Sequence, residues 1–146
     1  MDKQKIISKL PYSKPFLFVD EIISVDENGV EGTFTFDENM DFYKGHFKGN
    51  PVTPGVILTE VMAQIGLVCL GIFLLDDKLS SETAIALTSM ETEFLKPVFP
   101  NEKVTVISTK KYFRFGKLKC HVVMKNSKNE EVCSGMIAGI ITSKTK

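Results

Sequence analysis

Residues 41–75 read DFYKGHFKGNPVTPGVILTEVMAQIGLVCLGIFLL, and this stretch decides the fold. Its first part is crowded with Gly and Pro and carries His46, one of only two histidines in the chain. Its second part, Val56 to Leu75, is the longest apolar segment. The carboxylate of Glu60 and the amide of Gln64, one turn further on, interrupt it. A membrane span needs roughly 20 consecutive apolar residues, and the interruptions leave only Ile65 to Leu75. A helix apolar on nearly all faces in a small chain is a core helix. The stretch therefore predicts one buried helix with a polar site at its N-terminal end, and no membrane span.

The rest of the chain reads mostly as sheet. Asp2 to Leu10 carries Ile6, Ile7 and Leu10 at helical spacing before Pro11 ends the pattern, which predicts a short surface helix. Phe16 to Val25 and Val30 to Phe36 read as strands joined by a turn at Asp26-Glu27-Asn28-Gly29, where Asn-Gly favours positive φ. Phe36 to Pro54 has neither strand nor helix period, and a loop of that length inside a compact domain is often functional. After the helix come a polar loop and strands at Thr83 to Phe94, Val104 to Phe115, Lys117 to Lys125 and Val132 to Thr142. The third of these alternates, with Leu118, Cys120, Val122 and Met124 on one face and Lys117, Lys119 and His121 on the other. Helix and strands are segregated, which predicts an α+β domain over residues 1–146: an antiparallel, meandering sheet wrapped around one long central helix.

Composition narrows the function classes. A chain of 146 residues holds one domain with a proper core, and its 43% hydrophobic and 25% charged fractions suit a soluble protein. Formal net charge is zero, so no global field argues for nucleic acid or a membrane surface. Eleven Phe and no Trp point to an aromatic-rich interior, with room for an apolar ligand channel. Cys69, Cys120 and Cys133 are odd in number, lack C-x-x-C spacing and sit among apolar neighbours. That suits free cysteines in a reducing compartment, the cytoplasm. The opening MDKQK is not followed by a signal-type apolar run, so export is not expected. Two histidines and no H-x-x-x-H or paired Cys argue against a metal site.

Chemistry gathers where the loop meets the helix. Thr53-Pro54 reads as a helix start, Thr as N-cap and Pro as first helical residue. Gly55 then lies in the first turn, where its N–H lacks an intrahelical partner and the helix dipole favours a developing negative oxygen. The Thr53 hydroxyl competes for that N–H, and the residues alone leave the outcome open. A carboxyl buried in the apolar helix stays protonated near neutral pH, as a general acid must, and Glu60 is placed for that. The imidazole of His46 has the basicity of a general base. These three parts suit removal of a proton α to a carbonyl with loss of a β leaving group. A structural histidine and a glutamate paired with Gln64 would leave the same pattern. His121, among lysines, reads as solvated.

Gly45-His46-Phe47-Lys48-Gly49-Asn50-Pro51-Val52-Thr53-Pro54-Gly55-Val56, followed by Glu60-Val61-Met62-Ala63-Gln64, resembles the signature of the β-hydroxyacyl-acyl-carrier-protein dehydratases of type-II fatty-acid synthesis, the FabZ type. Leu10-Pro11 with Lys14-Pro15-Phe16-Leu17-Phe18-Val19-Asp20 and Glu93-Phe94-Leu95-Lys96-Pro97-Val98 extend the resemblance over nearly the whole chain. It implies a hot-dog fold and dehydration of a (3R)-3-hydroxyacyl thioester to the trans-2-enoyl thioester, without a cofactor. His46 would remove the α-proton, Glu60 would handle the departing hydroxyl, Gly55 N–H would bind the thioester carbonyl and Gln64 would position Glu60. It also implies a homodimer or multiple of dimers, each site combining the His of one protomer with the Glu of the other. Glu60, where related isomerising dehydratases carry Asp, favours simple dehydration. Lys48 stands where the family usually has Pro, and Tyr12 where a His is usual.

The implied partner is an acyl carrier protein, generally acidic. From Lys103 to Asn129 the chain has eight Lys or Arg and no Asp or Glu, which suits docking by charge but also suits strand faces that resist edge pairing. Two other readings stand beside the dehydratase: a hot-dog thioesterase and a non-catalytic acyl-binding subunit. Both leave the pairing of His46 with Glu60 without a purpose. Nucleic-acid binding through Lys110, Lys111, Arg114, Lys117 and Lys119 lacks both net charge and a known module.

Overall fold

The structure, a computed structural model, describes residues 1–143. A short helix, α1 (Lys3–Ser8), opens the chain, capped by the Asp2 carboxylate accepting from Lys5 N–H at 2.8 Å. Strands β1 (Glu21–Asp26) and β2 (Gly29–Thr35) form the expected hairpin. The turn is made differently from the Asn-Gly expectation, since neither residue has positive φ. Instead the Asp26 carboxylate accepts from Asn28 N–H and Gly29 N–H at 2.7 and 3.2 Å. Gly29 serves close packing, because a Cβ there would lie 2.1 Å from the Ser108 carbonyl oxygen.

A single helical column then runs from α2 (Gly55–Ala63) through a π-helical segment, Gln64–Cys69, to α3 (Leu70–Leu75), ending in a 3-10 turn at Asp76–Lys78. Strands β3 (Thr83–Phe94), β4 (Lys103–Arg114), β5 (Lys117–Lys125) and β6 (Glu131–Ser143) complete a six-stranded antiparallel sheet. Its order is β1-β2-β4-β5-β6-β3. The expected simple meander holds for β4, β5 and β6, while β3 crosses to the far edge and pairs only with β6. The column spans Gly55–Lys78 and is mostly buried in the protein, so its apolarity serves the core.

Met62, Ile65, Leu67 and Leu70 of the column are fully buried, against Leu118, Cys120, Val122 and Met124 of β5 and Ile137 of β6. Each such aliphatic side chain stabilises the fold by about 2 kcal/mol. The π segment went unforeseen in the sequence. At Gly66 the column comes so close to the sheet that a Cβ would lie 2.9 Å from Val122 and 3.2 Å from the Ser108 side chain. A π turn disturbs the usual backbone pairing, and the Ser108 hydroxyl supplies a partner, donating to the Gly66 carbonyl at 2.7 Å.

Phe16 to Asp20, expected to begin the first strand, lies outside it. Its backbone is engaged elsewhere: Phe18 N–H and Phe16 C=O bond the side chain of Gln64. A ladder of rings, Phe16–Phe18–Phe34–Phe36, with centroids 4.9, 5.5 and 5.1 Å apart in turn, holds this segment against β2. Phe18, Phe34 and Phe36 are buried in the core, whereas Phe16, Phe47, Phe94, Phe99 and Phe115 are exposed, so the Phe content serves the surface as much as the interior. All three cysteines are free and buried. Burial pushes the Cys69 and Cys133 thiols up to about 12.

Candidate active site

The segment before the helix is short of regular structure but not of hydrogen bonds. A 3-10 turn, Asp41–Lys44, leads into it, and His46 N–H donates to Phe42 C=O at 3.0 Å. Val52 N–H then donates to His46 C=O at 2.9 Å, closing a compact loop. Inside this loop His46 Nδ1 lies 2.8 Å from the Val52 carbonyl oxygen. A carbonyl only accepts, so Nδ1 carries a proton, and in the neutral imidazole Nε2 is the nitrogen with the free lone pair. The imidazole stacks on Phe47 with centroids 3.9 Å apart, which limits its rotation.

The helix begins one residue later than Thr53-Pro54 suggested. Pro54, at ψ 138°, is the N-cap and Gly55 the first helical residue. The Thr53 hydroxyl does not cap the helix. It lies 2.5 Å from the Tyr43 hydroxyl, in a buried pair. Among the described residues nothing accepts from Gly55 N–H, so this donor stands open at the positive end of the column. A Cβ at Gly55 would come within 3.1 Å of the Phe94 ring, so glycine lets that ring close over the helix end. Gly55, Leu58, Phe94, Leu95, Lys96 and Pro97 line an open groove of about 450 Å³ here.

Glu60 is partly exposed in the protomer, where the apolar run had suggested full burial. Its Oε2 accepts from Gln64 Nε2 at 3.0 Å. Gln64 has no exposed surface and uses both ends of its amide. Nε2 also donates to Phe16 C=O at 2.9 Å, and Oε1 accepts from Phe18 N–H at 2.8 Å. The backbone partners fix which end of the amide faces Glu60. Sequence reasoning placed Gln64 beside Glu60 through their spacing of four. It could not show the anchoring to Phe16 and Phe18, which lie far away in the chain.

Tyr12 joins this group. Its phenol is pushed up to about 12, first by burial and second by the nearby Glu60 carboxylate. Its ring centroid is 6.3 Å from that of Phe16. The sequence marked Tyr12 only as a departure from the family pattern, since proximity across 48 residues leaves no local signal. The structure thus brings Glu60, Gln64 and Tyr12 together and leaves the Gly55 donor free. Within the protomer, among the described residues, no hydrogen bond joins His46 to Glu60.

Comparison with known proteins identifies the chain's relatives. The FabA-like domain matches residues 10–133. The chain is 35% identical over 130 residues to the 3-hydroxyacyl-[acyl-carrier-protein] dehydratase FabZ of Ehrlichia canis, covering 85% of this chain and 86% of that one. It is 34% identical over 139 residues to the protein of the same name from Caldicellulosiruptor saccharolyticus, covering 92% and 94%. Among solved structures it resembles the dehydratase heterocomplex ApeI:P of Xenorhabdus doucetiae, with a TM-score of 0.78 at 12% identity over 100% of this chain and 93% of that chain. A thioesterase from Haemophilus influenzae aligns with a TM-score of 0.60 at 17% identity, covering 86% and 80%. At such identities the structural likenesses establish the hot-dog fold alone, whereas the matched domain and the closer sequence relatives establish descent: the chain belongs to the FabA-like family.

Proposed function

We propose that this protein dehydrates 3-hydroxyacyl thioesters carried on an acyl carrier protein to trans-2-enoyl thioesters, in fatty-acid or related acyl-chain synthesis. The observation that carries the reading is the hydrogen bond from His46 Nδ1 to the Val52 carbonyl, which makes Nε2 the basic nitrogen of the neutral ring in a loop leading to an open helix N-terminus. His46 Nε2 takes the α-proton of the substrate. As the α C–H bond breaks, charge moves onto the thioester oxygen, which accepts from Gly55 N–H. Glu60 acts as the acid for the β-hydroxyl: a proton passes to that oxygen, the C–O bond breaks, and water and the α,β double bond result. Gln64 orients Glu60 for this step.

Edge strand β3 supports an assembly in which the two halves of the site come from different protomers. It is 12 residues long, pairs on one side only, and exposes Leu87, Met90 and Phe94 by 43, 41 and 52%. An exposed apolar edge of that length invites pairing. In our reading two protomers join there, so that His46 of each serves Glu60 of the other. Further along the helix an apolar pocket of about 390 Å³, lined in part by Leu10, Pro11, Val68, Ile72 and Ile85, suits the acyl tail. On the outer face of β4 and β5, Arg114 sits over the Tyr112 ring at 4.3 Å amid Lys117 and Lys119, a basic surface suited to an acidic carrier. Three buried free cysteines suit a reducing compartment and so support a cytoplasmic location.

The test is an absorbance assay with a 3-hydroxyacyl thioester, following the conjugated enoyl product, run alongside His46→Ala. Turnover in the wild type that vanishes in the variant is expected. No turnover on either carrier-protein or coenzyme A thioesters would overturn the reading, and release of free thiol would indicate a thioesterase.

A further inference from the structure

Thr53 stands immediately before the N-cap Pro54 and two residues ahead of Gly55, and a threonine hydroxyl can accept from the N–H two residues on. Here that use is forgone. The hydroxyl turns to Tyr43 at 2.5 Å, and the helix start has no side-chain cap. The backbone of Thr53 is held by its N–H donating to Val98 C=O at 2.8 Å, which leaves χ1 rotation as the freedom of the hydroxyl. Tyr43 is 5% and Thr53 4% exposed, so water offers neither hydroxyl a substitute partner. Burial also pushes the Tyr43 phenol up, which keeps its proton available for the bond.

We propose that Tyr43 is a positioning residue for the reaction: it holds the Thr53 hydroxyl away from the helix and so keeps Gly55 N–H open for the thioester oxygen. The inference rests on the dehydratase reading for its consequence, and on the buried Tyr43–Thr53 pair for its cause. The pair also bridges the two ends of the His46 loop. A plain strap is therefore the competing explanation, and the test must separate the two.

In Tyr43→Phe the Thr53 hydroxyl loses its partner and turns to cap the helix. The turnover number falls about tenfold, the order set by the free energy of an N-cap bond, while KM changes little. Adding Thr53→Val removes the competing hydroxyl, and the double variant regains most of the lost rate. Circular dichroism and thermal unfolding confirm that each variant is folded. If Tyr43→Phe does not fold, Thr53→Val alone decides. Diversion of the hydroxyl predicts that it keeps its rate, and a strap predicts that it loses it. A folded Tyr43→Phe with wild-type turnover, or a double variant as slow as the single, overturns the proposal. Amide hydrogen exchange at Gly55 gives a readout without substrate: slowed in Tyr43→Phe, restored in the double variant. A wild type without turnover sinks the dehydratase reading, whereas unaltered Gly55 exchange in Tyr43→Phe sinks the hold on Thr53.

Discussion

The proposed base and the proposed acid are held by opposite means. His46 is fixed within its own loop, through Nδ1 to the carbonyl of Val52, six residues on. Glu60 is fixed through Gln64, which in turn hangs on Phe16 and Phe18, 48 and 46 residues back. One hold is local and made with backbone, so no side-chain substitution removes its acceptor. The other runs through a single buried side chain, Gln64, to backbone groups far back in the chain, and losing that side chain strands them all. The base should therefore be robust to changes elsewhere, and the acid sensitive to them.

The comparison can be broken at its ends or sharpened at its middle. His46→Ala removes the base itself and should lower the turnover number by about 10³ or more with folding intact, as expected for general-base loss. Wild-type turnover in a folded His46→Ala, measured in the enoyl absorbance assay, would end its assigned role. Glu60→Gln preserves shape but supplies no acidic proton, and a loss of about 10² is expected. Steady-state kinetics at saturating substrate would check it.

Gln64→Leu probes the difference between the two holds. It leaves Phe18 N–H and Phe16 C=O without their partner, and each stranded buried group costs about 1–3 kcal/mol. Denaturant unfolding should show that loss, and turnover should fall about tenfold. Adding Gln64→Leu should lower the residual rate of His46→Ala by the same factor as it lowers the wild-type rate. A different factor would mean that the holds are coupled after all.

The smallest expected effect concerns Tyr12. Its folded pKa of about 12 lies above the ordinary 10.0, through burial and then the charge of Glu60. For an acid whose folded pKa is raised, folding favours the protonated form. That stabilisation is complete below pH 10 and is lost as pH rises toward about 12. Tyr12→Phe should remove this share, flattening the fall of stability in that window. Identical alkaline profiles for the two proteins would contradict the burial of the phenol beside Glu60.

Much of this was legible in the residues. Strand β5 matches its alternation because burial on one face imposes a period of two, and Leu118, Cys120, Val122 and Met124 are all fully buried. The helix was legible because no other element satisfies so long an apolar run. The misreadings came where a backbone group or hydroxyl had two partners to choose from. Phe16 to Asp20 has strand composition but gives Phe16 C=O and Phe18 N–H to a glutamine side chain. Thr53 has an N-cap's place but gives its hydroxyl to Tyr43. The crossing of β3 to the far edge belongs to the same class, since its pattern suits several neighbours.

By itself the sequence determined the kind of elements, the central helix and the placing of the candidate residues His46, Gly55, Glu60 and Gln64 in and just before its first turns. Periodicity, turn residues and loop–helix signals act over a few residues, and local sterics and burial enforce them. Only the tertiary structure decided that Gly55 N–H is open, that Glu60 is tethered to the opening segment, and that the helix yields to a π turn at the sheet. Each of those outcomes is a competition between partners distant in the chain, and packing in three dimensions chooses the winner.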